Sequence, residues 1–257
     1  MADDRPESLA CLVLAAGRGS RMRPFTNRVP KPLLTVDNEP LLARSLRMAA
    51  AVTSDIAVNS SYLAAEIAAF LTAYSVQSSY EPEALGSAGA IGPLLPWLGD
   101  RDLLILNGDT WLETVPDYLV AGWDRVRPRL LVQDLGRPSD FGNCRFVGAS
   151  LLPNRLCRSV PSEPSGLYEA IWRPLRSALD FVPLRGRAFD CGTPAEFLAA
   201  NLYASGGRAV VHPTARPGGP ITESVFLAGA TSPEGYVAHR ELRDAVDVIQ
   251  VELSDLR

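Results

Sequence analysis

The stretch that most restricts this chain lies near its start. An apolar run, Ala10–Ala15, breaks at Gly17–Arg18–Gly19–Ser20. A short apolar run bounded in this way predicts a buried strand. The two glycines open backbone angles that other residues avoid and leave no side chain between the main chain and a ligand. N–H groups freed there can form a concave anion nest. Arg18, Arg21 and Arg23 add positive charge, and Pro30–Lys31–Pro32 follows soon after. The prolines stiffen the backbone around the lysine. A strand, a glycine turn, arginines and one rigidly held lysine make a cradle for a polyphosphate.

Lys31 is the only lysine; the other 24 of the 25 basic residues are arginine. A general preference for arginine explains the rest of the surface but not the exception. Chance retention of one lysine is the rival account. Its place inside Pro-Lys-Pro favours a function, because lysine is a compact charge that fits beside a crowded phosphate, whereas arginine is a broad planar fork. Other phosphate motifs fit less well. The P-loop needs a glycine followed directly by Lys-Ser or Lys-Thr, and none is present. A dinucleotide fingerprint needs a third glycine at position 22, where Met22 stands. Asp37 and Glu39 lie near the place of a ribose-binding acid but follow the Pro-Lys-Pro turn instead of ending a second strand.

A chain of 257 residues makes one large α/β domain or two small ones. A net charge of −4 leaves no broad basic face for nucleic acid. Cys11, Cys144, Cys157 and Cys191 show no CxxC spacing, which predicts buried free thiols in a reducing cytosol. The only histidines, His212 and His239, sit near the C-terminus, so a histidine-based metal site or triad has little to draw on. The polar, acidic start, MADDRPES, does not read as a signal peptide, and no apolar run is long enough to span a membrane.

Along the chain, Leu41, Leu42, Leu46 and Ala49 recur at helical spacing, as do Leu63, Ile67, Phe70 and Leu71. Asp55–Asn59 and Val76–Tyr80 read as strands. Leu94, Leu95 and Leu98 mark a helix running to Gly99. Leu103–Leu106 is wholly apolar, as expected of a central parallel strand covered on both faces. This alternation predicts a three-layer α/β fold. Ligands in such sheets sit beyond the carboxyl ends of the strands, which puts Gly17–Arg23, Glu81–Gly89 and Asn107–Gly108–Asp109 on one rim. Taken alone, Ser87 reads as a helix N-cap and Asp109 as a turn residue. Leu167–Leu179 has a helical pattern interrupted or kinked at Pro174. Thr193–Pro194–Ala195–Glu196 is a capping box with proline at the first helical position, opening a helix over 194–204. Val210–Ala215, Ser224–Ala230 and Val246–Val251 are short β-like pieces.

With these residues in view, the chain resembles the nucleotidyltransferases that join a nucleoside triphosphate to a sugar 1-phosphate. Their signature is roughly Leu-Ala-Gly/Ala-Gly-x-Gly-x-Arg-hydrophobic-x-Pro-x-Thr, then Pro-Lys-Pro and an apolar pair. Leu14–Thr26 and Pro30–Leu34 match it, and the wider matches reach from about residue 9 to Asn201. The resemblance implies a Rossmann-like (GT-A-like) α/β fold with a mostly parallel central sheet. It implies a nucleotidyltransferase domain over residues 1–207 and a short β-rich extension, 208–257, packed on the same domain. It assigns nucleotide binding to Leu14, Ala15, Ala16, Gly17, Arg18, Gly19, Ser20 and Arg21, and to Glu81, Leu85, Gly86, Ser87 and Gly108. Leu85–Ala90 is close to the family segment whose backbone contacts the base. Asp109 and Asp190 fall at its magnesium-ligand positions, and two carboxylates with phosphate oxygens and water suit Mg²⁺.

The catalytic set implied is Arg21, Lys31, Asp109 and Asp190. A sugar 1-phosphate oxygen would attack the α-phosphorus in line and pyrophosphate would leave, so catalysis is mostly alignment and charge neutralisation. Mg²⁺ would bridge the two phosphates, Lys31 would sit at their junction, and Arg21 would hold the triphosphate and the departing pyrophosphate. The attacking phosphate is already ionised, so no general base is needed.

The middle of the chain departs from the pattern. Asp140–Phe141–Gly142 resembles the family's aromatic-glycine turn, but the Glu-Lys-Pro that binds sugar hydroxyls and phosphate is missing. Gly142, Asn143, Arg145 and Glu169 are the acceptor contacts expected here. Arg145 would replace the phosphate contact and Glu163 or Glu169 the hydroxyl contact; the alternative leaves all three on solvated surface. Tyr168 and Trp172 pack or wall the sugar pocket. The C-terminal β pieces resemble one or two coils of the left-handed β-helix that some relatives carry, stable only when stacked. The Leu-Gly-Ser-Ala-Gly form favours GTP or UTP, and the compact length resembles bacterial enzymes that activate amino-sugar or mannose-type phosphates. A cytoplasmic protein, a candidate homodimer with no nucleic-acid or membrane partner, completes the expectation. Two alternatives stay open: a nucleotidyltransferase for a non-sugar or cyclitol phosphate, and a non-catalytic nucleotide-sugar-binding regulator. A purely structural role would leave the loop and lone lysine as coincidence.

Overall fold

The computed structural model describes residues 8–115, 117–161 and 163–252. All of the acidic N-terminal stretch except Ser8 lies outside the described residues, as do the last five residues of the extension. The chain makes two compact units. One takes the described residues of Met1–Gly17, Ser45–Gly108 and Leu112–Arg187; the other takes those of Arg18–Arg44, Asp109–Trp111 and Ala188–Arg257.

The first unit is built on a sheet whose strands lie in the order Asp180–Pro183, Arg129–Ser139, Gly142–Leu152, Asp102–Asn107, Leu9–Leu14, Ile56–Ser60 and Gln77–Tyr80. The last four run parallel, with Leu12 opposite both Ala57 and Ile105. Gly142–Leu152 is antiparallel to its two neighbours, and Asp180–Pro183 returns parallel to Arg129–Ser139. The sheet is therefore mostly parallel. On one face Ala10, Leu12, Leu103 and Ile105 pack with Ile91, Leu94, Leu98, Leu167 and Ile171. The alternate residues Cys11, Val13, Leu104 and Leu106 are buried as well. A sheet covered on both faces is the three-layer arrangement that wholly apolar strands require. The helices Leu41–Ala50 and Ala64–Leu71 stand where the apolar repeats place them.

One stretch is interrupted where the sequence reading places the break, and one strand lies outside that reading. The helical pattern of residues 167–179 is broken at Pro174 into two separate turns. Tyr168–Trp172 is a π-helical turn, with the Arg173 N–H on the Tyr168 carbonyl at 2.7 Å, and a separate 3₁₀ turn covers Arg176–Ala178. Pro174 has no N–H to continue the ladder. The strand Arg129–Ser139 has no clear signal in the sequence, because its outer half carries Asp134, Gly136 and Pro138 and pairs irregularly with Gly142–Leu152.

The second unit has its own core. Met22, Phe25, Leu34 and Leu41 pack with Trp111, Cys191, Phe197 and Leu198, and the C-terminal segment adds Val210, Val225, Leu242 and Val251. Short strands Val210–Val211, Val225–Phe226 and Glu241–Arg243 stack in parallel, as do Ile221–Thr222 and Ala238–His239. Such stacked coils bury a face only against a neighbour, which the core residues of this unit supply. The helix Pro194–Ala204 starts on its capping box: Thr193 Oγ1 accepts from the Glu196 N–H at 3.3 Å.

Among the described residues no helix is long and apolar enough to cross a membrane. All four cysteines are free thiols; Cys11, Cys157 and Cys191 are buried, whereas Cys144 is only half-buried.

Candidate functional site

In the second unit, four sequence-distant side chains converge. Lys31 opens a 3₁₀ turn, Lys31–Leu33, entered through Pro30, and is only 4% exposed. Its Nζ donates to Asp109 Oδ2 at 2.7 Å and lies 3.6 Å from Asp190 Oδ1. Arg21 Nη2 stands 3.8 Å from Asp190 Oδ2. An unpaired buried ammonium would be costly; here two carboxylates oppose it. Those carboxylates are 35% and 48% exposed, so the stem of Lys31 is packed away while its charge meets groups that a ligand can reach. Asp109 precedes the strand Thr110–Leu112, which pairs with Ala188–Asp190, so one short ribbon carries both acids.

Two glycines clear space for this cluster. Gly19 has φ +60°, and a Cβ there would stand 2.8 Å from Lys31 Cβ and 3.1 Å from Thr26 Cγ2. A Cβ on Gly192 would stand 2.5 Å from Arg21 Nη2 and 2.9 Å from Asp190 Oδ1. Position 19 therefore needs a residue without a side chain, whereas at Gly192 the near atoms are the tips of exposed side chains that can shift. Thr26, itself buried, donates from Oγ1 to the Gly19 carbonyl at 2.8 Å, and Met22 and Phe25 anchor the loop in the core. Gly17, Arg18, Ser20 and Arg23 are exposed. Cys191, beside Asp190, is not a nucleophile of this site: burial pushes its thiol pKa far up. Among the described residues no group of three His, Cys, Asp or Glu side chains could hold a metal ion, so a cation at Asp109 and Asp190 would take its other ligands from substrate oxygens and water.

The first unit holds several of the expected nucleotide-binding residues. Leu14 ends the first strand, Ala15, Ala16 and Gly17 follow it, and the space around Gly17 is open. Gly108 is crowded instead. Its N–H donates to the Leu14 carbonyl at 2.9 Å, and a Cβ there would meet that oxygen at 2.8 Å. The Ala15 N–H donates to Asn59 Oδ1, Asn59 Nδ2 donates to Glu81 Oε1, and the Leu85 N–H donates to Glu81 Oε2, each at 2.8 Å.

This revises two readings. Glu81 does not present a free carboxylate to a nucleotide, because it is 1% exposed and both oxygens are taken. Ser87 is not a helix cap: Leu85 precedes the one-turn helix Gly86–Gly89, and Ser87 Oγ accepts from the Leu167 N–H at 2.9 Å. Gly86 has φ +74°, and a Cβ on it would collide with the Ser165 carbonyl, which also accepts from the Ala88 N–H at 3.0 Å. Sequence reasoning misses Asn59, whose signal is an amide directly after the apolar Ile56–Val58 of its strand.

The expected acceptor residues also lie in the first unit. Gly142, with φ +68°, and Asn143 are exposed at a hairpin. Arg145 is half-buried and donates from Nη2 to Gln133 Oε1 at 3.2 Å. The Phe141 ring packs on Tyr168 and Trp172 at 5.8 and 6.1 Å, which brings the hairpin against the π-helical turn carrying exposed Glu169. Glu163 is exposed too. Trp172 is largely buried against Phe146, as a packing residue would be.

Residues 11–154 match the model of the MobA-like NTP transferase domain. An N-acetylmuramate alpha-1-phosphate uridylyltransferase from Neisseria meningitidis serogroup B is 42% identical over 108 residues, covering 39% of this chain and 47% of that protein. A mannose-1-phosphate guanyltransferase from Candida albicans is 25% identical over 260 residues, covering 80% of this chain and 72% of the relative. A UTP-bound UGPase from Acinetobacter baumannii superposes with a TM-score of 0.63 at 18% identity, covering 77% of this chain and 93% of the other, and so shares its fold. The chain spans about half the length of the uridylyltransferase relatives it matches. With the domain model matching more than half of its residues, the chain belongs to the MobA-like NTP transferase family.

Proposed function

We propose that the protein condenses a nucleoside triphosphate with a sugar 1-phosphate, giving a nucleoside diphosphate sugar and pyrophosphate. The observation that carries this reading is Lys31: the only lysine, buried beside a glycine turn, with its ammonium 2.7 Å from Asp109 and 3.6 Å from Asp190. Lys31 steadies the negative charge that builds where the acceptor phosphate meets the α-phosphorus. Arg21 holds the triphosphate and the leaving pyrophosphate. Arg18, Gly19 and Ser20 line the phosphate loop, and the backbone at Leu85 and Gly86 holds the base. Asp109 and Asp190 offer the hard oxygen donors that suit Mg²⁺, which when bound would neutralise charge between the two phosphates. Arg145, Gly142, Asn143 and Glu169 hold the acceptor.

The relatives' names support UTP or GTP as donor and an amino-sugar or mannose-type phosphate as acceptor. The missing Glu-Lys-Pro segment keeps a cyclitol or other phosphate acceptor as the second reading. A pyrophosphate-release assay with Mg²⁺ tests both. It crosses GTP, UTP, CTP, ATP and dTTP with sugar and cyclitol 1-phosphates. Release with one matched pair is the expected result. Silence across the panel, with no nucleotide shifting the melting temperature, overturns the reading.

A further inference from the structure

We infer that Asn59 and Glu81 form a positioning relay that sets the nucleotide-binding backbone of the first unit and do not themselves touch the nucleotide; this rests on the nucleotidyltransferase reading above. The direction of each hydrogen bond is fixed by chemistry. The Ala15 N–H can only donate, so the Asn59 amide must turn Oδ1 toward it, at 2.8 Å. Asn59 Nδ2 then faces Glu81, whose Oε1 must accept, also at 2.8 Å. The Leu85 N–H fills the other oxygen, Oε2, at 2.8 Å. Two of the three bonds end on one carboxylate, which accepts at both oxygens, and the third ends on the Asn59 amide oxygen.

Both ends of the relay are main chain. Ala15 is the first residue after the strand Leu9–Leu14, where the glycine loop starts. Leu85 leads into Gly86, whose left-handed backbone begins the turn Gly86–Gly89. Asn59 and Glu81 are 2% and 1% exposed, so water does not replace a lost partner. A donor left unpaired in this setting costs its full desolvation, and the two backbone segments would drift together. Fixing them beforehand spares the nucleotide the cost of ordering them.

Three isosteric variants test the relay: Glu81→Gln, Asn59→Asp, and the two combined. Glu81→Gln sets a new NH₂ against another donor. Asn59→Asp sets two carboxylates face to face. In the double variant the carboxylate at position 59 accepts from the Ala15 N–H and from the new amide at 81, whose oxygen accepts from the Leu85 N–H. Every group is again paired, with one bond reversed. In the full chain with Mg²⁺, each single variant is expected to raise the NTP KM about tenfold. The kcat and acceptor KM should change less than about threefold, and the double variant should recover most of the lost affinity and melting temperature. A double variant no better than the worse single one overturns the relay. Singles that lower the melting temperature but leave the NTP KM unchanged overturn its role toward the nucleotide. Wild-type protein silent in the pyrophosphate assay, with no nucleotide shifting its melting temperature, overturns the reaction, and with it that role, before any variant is made; the melting temperatures of the variants would still decide whether the hydrogen bonds run as assigned.

Discussion

Lys31 and Glu81 are both charged and almost wholly buried, yet their charges are met in opposite ways. Lys31 faces two carboxylates that keep a third to a half of their exposure. Glu81 faces two N–H donors, one from an amide side chain and one from the main chain. Opposed charges open to solvent can exchange partners when a phosphate or a cation arrives. A carboxylate already filled by fixed donors has no such freedom, and it serves by holding backbone in place. The Lys31 cluster thus places its electrostatics in side chains, and the Glu81 cluster places it in an ordered main chain.

Substitutions should separate these two roles. The largest effect is expected from Lys31→Ala and Asp109→Asn, each lowering kcat about 100- to 1000-fold. Melting temperatures should stay near the wild type, and near-normal turnover in either would remove the special status of the second unit. Next come two glycines held in left-handed backbone, Gly19 and Gly86. Alanine at either is strained by roughly 1–3 kcal/mol. Gly19→Ala pushes on the Lys31 stem and should lower kcat; Gly86→Ala pushes on the Ser165 carbonyl and should raise the NTP KM. Steady-state kinetics that show both variants failing in the same parameter would break the contrast. Arg145→Ala should raise the acceptor KM about tenfold, the worth of a charged hydrogen bond, and leave the NTP KM alone. An unchanged acceptor KM would remove Arg145 from the site.

The smallest effect is expected from a surface ion pair outside both clusters. Arg28 pairs with Asp244 and Asp247 at 2.6 and 2.5 Å. Burial pushes the Asp244 carboxyl up, but the Asp247 and Val246 N–H groups and the Arg28 guanidinium outweigh it and hold the group below its ordinary 3.8. A lowered carboxyl stabilises the fold above its ordinary value and loses that contribution as the pH falls through the folded value. Arg28→Ala should therefore lower the melting temperature slightly at neutral pH, without changing activity, and the gap should close below pH 3.8. A gap that widens in acid would contradict the sign.

Much of this was legible in the residues themselves. Gly19 and the capping box at Thr193 follow from local steric and hydrogen-bonding rules, which act within a few residues. The apolar runs Ala10–Ala15 and Leu103–Leu106 declared a sheet covered on both faces, since no half-exposed strand tolerates such sequences. Lys31 stood out through its flanking prolines and its singularity. The roles of Glu81 and Asn59 were not legible. Nothing near Glu81 in sequence tells whether its carboxylate meets a ligand or a backbone N–H. Asn59 is 44 residues from Ala15, and Lys31 is 78 from Asp109. The irregular strand Arg129–Ser139 likewise takes its form from its partner, Gly142–Leu152. Periodicity, caps and turn glycines are properties of short segments, so the sequence by itself determined the layers and the loop, while Asp109 and Asp190 were marked only through the family resemblance. Which donor meets which acceptor depends on strand register and close packing, and only the tertiary structure decided that Lys31 meets two acids while Glu81 is consumed by the fold.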